Sequence, residues 1–184
     1  MKVKIRQEAG YEWALMGMSF SHFAEDQPVD DWWAVQKPKA FLRAEKLKDK
    51  DGGHNKFLES IQVWVEIKAS RAFWSEFDTY RAGVTKQSTS TMHTLSKRAP
   101  LHSDFEEGTP KEVFIDFLRH FAQHHHDIVT LKSGLPEGFL QRRMVCTNYK
   151  TIKGIVAQRK AHRYKPWRVF IEALMEQLEH PELM

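Results

Sequence analysis

The feature that most constrains this 184-residue chain is an eight-residue alternation. Ile61, Val63, Val65 and Ile67 fall on one side of an extended backbone, and Gln62, Trp64, Glu66 and Lys68 on the other. Period two with β-branched residues on the apolar side predicts a half-buried β-strand. Such a strand needs neighbours for its backbone groups and helices over its apolar face. Val3 to Arg6 alternates in the same way, and Leu140 to Cys146 also reads as extended.

The covering helices are legible from spacing. Tyr11 to Met18 is apolar and short. Pro38 to Lys50 reads as a helix with Phe41, Leu42 and Leu47 inward, closed by Asp51-Gly52-Gly53. Phe73, Phe77 and Tyr80 recur at steps of four and three, predicting a helix over Ser70–Tyr80. Thr109-Pro110 opens another, with Val113, Phe114, Phe117, Leu118 and Phe121 on one face and His124-His125-His126 at its end. Asn148 is placed to cap a helix running to about His162, and Trp167 to Leu178 forms a last amphipathic one. Residues 19–36, with Pro28, Asp30, Asp31, Trp32 and Trp33, read as a loop or partner-contacting flap. Val84 to Met92 is too rich in Ser and Thr to be core. The expected class is α+β: a small antiparallel sheet with flanking helices, in one domain spanning 1–184.

Composition narrows the setting. A hydrophobic share of 41% and a charged share of 28% are those of a globular protein. No run approaches the roughly 20 apolar residues that a membrane span needs. Met1 to Ala9 is charged, so no signal peptide is expected. Cys146 is the single cysteine, which excludes an internal disulfide and fits a reducing compartment; the expected location is cytoplasmic. Net charge is +4, but Lys132 to Arg168 holds five Lys and five Arg against one acid, Glu137. That stretch is either a solvated basic face or a field for an anionic ligand such as a nucleotide or nucleic acid.

Generic signatures are absent: there is no Gly-x-Gly-x-x-Gly, Walker loop, Gly-x-Ser-x-Gly or Cys-x-x-Cys. His120 and His124 have the spacing at which two imidazoles share a metal. No glutamate of an HExxH type lies between them, and cationic side chains suit a helix end anyway, so no metal is expected. Cys146 beside Arg142 and Arg143 reads as either a nucleophile or an inert buried thiol.

Three segments carry a sharper signal. Gly53-His54 precedes the central strand. Ile67 to Trp74 leads through Tyr80-Arg81 to Gln87-Ser88-Thr89-Ser90. Leu135-Pro136 is followed by Thr147-Asn148 and, eleven residues beyond the asparagine, Arg159. In order and spacing these segments resemble the flavin-dependent thymidylate synthases over roughly residues 40 to 170. The resemblance implies that His54, Arg81, Asn148 and Lys150 contact FAD, with Lys150 standing where the family has an arginine. It implies that Lys132, Gln87, Ser88 and Ser90 bind the nucleotide, and that Arg159 orients and polarises the uracil ring, the catalytic assignment. It further implies methylation of dUMP to dTMP, or another C5 modification, with methylenetetrahydrofolate and NADPH as co-substrates. A homotetramer with active sites between subunits is implied as well.

The chain also departs from the family pattern. Arg-His-Arg is here Thr79-Tyr80-Arg81, and the arginine closing the loop is replaced by Thr91, or by Met92 if the loop shifts by one. The family's Ala-Gln-x-Glu has no counterpart in Arg163–Trp167. The chain is shorter than typical members and resembles the short branch that phage genomes carry. These losses leave a second reading open: a catalytically inactive descendant binding a nucleotide or nucleic acid through residues 132–168.

Overall fold

The computed structural model describes residues 1–23 and 26–184. Four strands form one antiparallel sheet: β1 (Lys2–Ala9), β2 (Gln62–Ser70), β3 (Thr85–Ser88) and β4 (Leu140–Asn148), in the order β1-β2-β4-β3. The alternating segment is β2, at the centre, with Val65 opposite Val145 and Gln62 opposite Asn148. Its apolar side is sealed, Val63, Val65 and Ile67 being at most 2% exposed. Each such burial contributes about 1.5–3 kcal/mol relative to exposure. The other side, with Gln62, Trp64, Glu66 and Lys68, is half-buried, and Glu66 there joins Arg6 of β1 to Arg142 of β4.

Three helices follow or flank the central strands and fill the core. Ser70 ends β2 and caps α3 (Arg71–Phe77) by accepting the Phe73 amide, so strand passes to helix without a loop. Asn148 does the same between β4 and α7 (Tyr149–Arg159), accepting from Thr151 N at 2.9 Å. Phe73 and Phe77 pack against Trp167 and Phe170 of α8 (Pro166–Met175) in a tight aromatic cluster. A smaller core is built from Leu95, Phe105, Phe117, Leu131, Leu135 and Phe139. It joins α4 (Thr91–Lys97), α5 (Lys111–His124) and α6 (Ile128–Ser133). His120 belongs to this unit, its Nε2 lying 3.2 Å from the Thr130 carbonyl oxygen.

The N-terminal hairpin corrects the sequence reading. After α1 (Tyr11–Ser19) the chain enters α2 at Val29 and stays helical to Leu47, through Pro38. Residues 29–36 are therefore helical and not part of a loop or flap; residues 24 and 25 lie outside the described residues. Trp32 and Trp33 are 4% and 6% exposed. Asp30 and Asp31 in the first turn suit the positive end of the helix dipole, and Pro38 removes one amide donor that packing outweighs. The buried residues of α2 are Trp32, Trp33, Ala40 and Ala44, while Phe41 and Leu42, expected inward, point outward at 37% and 62% exposure. Between β1 and α1, Gly10 turns with φ +90°, where a Cβ would sit 2.5 Å from the Ser60 carbonyl oxygen.

Candidate functional site

The hydroxyl-rich run Val84–Met92 becomes a short edge strand, a turn and a helix start. β3 pairs with β4 so that Ser88 faces Arg143 across the ladder. Thr89 continues the contact, its amide donating to the Arg142 carbonyl at 2.9 Å, and Ser90 caps α4 by accepting from His93 N. Ser88 to Thr91 thereby form one wall of a cleft of about 520 Å³. The facing wall is the outer side of α3, with Arg71, Trp74, Ser75 and Asp78; Gln141 and Arg143 form the floor, and Lys132 and Glu137 close one end.

The charges in this cleft are arranged unevenly. Arg143 is held in place: its guanidinium lies 4.3 Å from the Trp74 ring centre and donates to both Asp78 oxygens and to Gln141 Oε1. Burial alone would raise the Asp78 carboxyl. Hydrogen bonds from Lys86 and Arg143, with their charges, instead hold it below the usual carboxylate range. Asp78 is thus doubly countered, which leaves Arg71 and Lys132 as the cations that face the opening. Three cations and four consecutive hydroxyl residues make this cleft suited to a phosphate.

A second cavity, about 950 Å³, lies at the opposite end of β2, between α1, α2 and residues 52–60. Trp13, Met18, Leu47 and Phe57 give it apolar surface; Arg43, His54, Lys56 and Glu59 give it charge and donors. Trp13 is 73% exposed. At Gly53 (φ +84°) a Cβ would meet nothing within 4 Å, so the backbone before His54 stands open to the cavity. A planar heterocycle with an anionic tail, as in a flavin, matches this donor set and volume.

The residues singled out from sequence sort into these two places, with exceptions. Ser88, Ser90 and Lys132 share the first cleft; Gln87 is on the opposite side of the sheet from Ser88 and does not line it. His54 lines the second cavity, and Lys150 reaches it indirectly through an ion pair with Glu59. Asn148 is buried as the α7 cap, and the turn after the exposed Arg81 packs on it through Gly83. Arg159 lines neither cavity. It donates to Tyr80 Oη at 2.9 Å and Glu76 Oε2 at 3.2 Å, and stacks 4.8 Å from the Trp167 ring centre. Among the described residues, five of the ten cations in the basic stretch 132–168 make intrachain ion pairs: Arg142, Arg143, Lys150, Lys153 and Arg159. Arg71, Trp74, Arg143 and Trp13 were not assigned from sequence. Only the pairing of β3 with β4 and the docking of α1 on residues 52–60 bring them to cavities.

No known family model matches the chain, and no curated protein does. Solved structures do. A crystal structure of thymidylate synthase X (ThyX) from Helicobacter pylori with FAD and dUMP superposes with a TM-score of 0.75 at 16% identity. It covers 100% of this chain and 97% of that one. A second, of flavin-dependent thymidylate synthase ThyX from Helicobacter pylori complexed with FAD and dUMP, gives 0.78 at the same identity and coverage. The α+β architecture read from sequence is therefore that of the flavin-dependent thymidylate synthases over the whole chain.

Proposed function

We propose that this protein is a flavin-dependent thymidylate synthase-like transferase that binds dUMP, or a closely related pyrimidine deoxynucleotide, together with FAD. The observation that carries the reading is the sorting of two residue sets. Three of the residues that the sequence resemblance assigns to the nucleotide line one cleft, and two that it assigns to the flavin, His54 and Lys150, lie in or beside the other cavity. The Helicobacter pylori proteins of the same fold hold both ligands.

In this reading Ser88, Ser90 and Lys132 anchor the nucleotide phosphate by charge and hydroxyl donation. His54, with Lys150 positioned by Glu59, holds the flavin, and Asn148 and Arg81 shape the wall between strand end and loop. A flavin bound there supplies hydride chemistry that no side chain of the protein can provide. Methylenetetrahydrofolate and NADPH are the carbon donor and reductant, and the product is dTMP. Arg159, with its fork tied to Glu76 and Tyr80, does not line the cleft of its own chain. Its assigned role on the uracil ring requires the cleft of another subunit, which fits a homo-oligomer, a tetramer by resemblance, built from one-domain chains. The protein as purified is expected to be yellow with a flavin absorbance band; a colourless protein that takes up no FAD in titration defeats the proposal.

The internal engagement of Arg159, with Thr79 and Tyr80 in place of Arg and His, favours one alternative: a descendant without turnover that binds a nucleotide or nucleic acid. Calorimetry separates the two. Tight dUMP and FAD binding supports the enzyme; steeply salt-dependent binding of single-stranded DNA without dUMP binding supports the alternative.

A further inference from the structure

The family pattern expects an arginine to close the loop after Ser88 and Ser90, and the chain has Thr91 there, which lines the first cleft. That wall of the cleft, Ser88 to Thr91, therefore carries no cation. Across the same cleft stands an arginine that the pattern does not assign. Arg71 begins α3, and its backbone is fixed: its amide donates to the Phe139 carbonyl and that of Ala72 to the Glu137 carbonyl, both at 3.1 Å. Its side chain is only loosely satisfied. Nε is buried with no hydrogen-bond partner among the described residues. The one counter-charge, Glu137, stands 3.7 Å from Nη2, beyond hydrogen-bond distance, and is itself 64% exposed. A guanidinium that holds a buried donor without an acceptor, and only a loose counter-charge, keeps hydrogen-bonding capacity for an anion entering the cleft.

The neighbours fit the same purpose. The other acid in the cleft, Asp78, is occupied by Lys86 and Arg143 and does not compete for Arg71. Lys132 and the hydroxyl-bearing Ser88 and Ser90 line the same cleft as Arg71, while the Thr89 hydroxyl is taken up by the Arg142 carbonyl. We propose that Arg71 is a phosphate-binding residue of this cleft, supplying from α3 the guanidinium that the family pattern places at the position of Thr91. The assignment deepens the nucleotide reading above and rests on it for the identity of the ligand. It predicts recognition of the 5′-phosphate, not of the base.

The test is isothermal calorimetry of the full-length protein with dUMP, deoxyuridine and inorganic phosphate. Arg71→Gln is expected to weaken dUMP binding roughly ten- to hundredfold, the loss typical of a hydrogen bond to a charged group. Deoxyuridine binding and FAD uptake are expected to stay at wild-type strength. Arg71→Lys keeps the charge but not the fork and is expected to fall between; it also serves if the glutamine variant folds poorly. Unchanged dUMP affinity in both variants, where the wild type binds dUMP, overturns the role of Arg71 and leaves the nucleotide reading standing. Wild-type binding of inorganic phosphate but not dUMP, lost in Arg71→Gln, keeps Arg71 and removes the nucleotide. Binding of neither ligand by the wild type overturns both.

Discussion

Arg159 and Trp167 share one acceptor: the guanidinium Nη1 and the indole Nε1 both donate to Glu76 Oε2, at 3.2 and 2.7 Å. The guanidinium also lies over the indole, so a single carboxylate oxygen of α3 fixes the end of α7 against the start of α8. Glu76→Ala removes that acceptor and is expected to destabilise the protein by about 1–3 kcal/mol, through two unpaired donors. Denaturant unfolding measures it; a change within the noise would mean that solvent replaces the carboxylate without cost.

The second cavity makes a prediction that separates stability from binding. Trp13 is 73% exposed, so Trp13→Ala should leave the melting temperature close to wild type. Flavin affinity should nonetheless drop, because an aromatic face on the cavity rim is lost. Titration with FAD followed by flavin fluorescence decides the matter, with His54→Ala as the comparison.

Gly83 tests the link between the Arg81 turn and the α7 cap. At φ +67°, a Cβ on this residue would come 2.5 Å from Thr151 Oγ1 and 2.9 Å from Asn148 Nδ2. Gly83→Ala is expected to cost about 1–3 kcal/mol from backbone strain and displaced cap geometry. FAD uptake should weaken in step, if Asn148 and Arg81 shape the flavin wall as proposed. A stable variant with normal flavin uptake would refute that link.

Stability should fall at alkaline pH. Burial and the nearby Glu182 push the Tyr11 hydroxyl up to about 12, and burial with the Glu8 carboxylate pushes Tyr149 further in the same direction. A phenol whose folded value is raised binds its proton more tightly when folded. Its contribution is complete below the ordinary value near 10 and is lost as pH climbs toward the folded value. Unfolding free energy should therefore decline from about pH 10 upward, and Tyr149→Phe should flatten that decline. An equally steep decline in the variant would place its cause elsewhere.

β1, β2, β4 and the Asn148 cap were legible because they rest on local rules: β2 by alternation, Asn148 by a side-chain amide followed by a helix; β3 was hidden in a short run of hydroxyl residues. α2 was misread because Pro38 and its many charges imitate a boundary, while the packing that overrides them comes from α1. The short helices α4 and α6 give too few turns for periodicity to register. In the first cleft, Ser88, Ser90 and Lys132 were singled out through the family resemblance, and the fold brings them to one wall and one end of the same space. Arg71 was not, since in sequence it is one more residue at a helix start. Nor was Arg143, whose surroundings depend on which strand lies beside which. For Arg159 the sequence supplies a position; Glu76 and Trp167, its partners, lie 83 and 8 residues away along the chain.

α3 is only seven residues long, yet it presents Trp74 to the cleft and the half-buried Glu76 to Trp167 of α8 on its other side. A rod of two turns cannot tilt on one side without moving on the other. A ligand that presses on Arg71 and Trp74 is therefore expected to register in the emission of Trp74 and Trp167. If it does, occupancy of this cleft is readable by intrinsic fluorescence, with no dye attached.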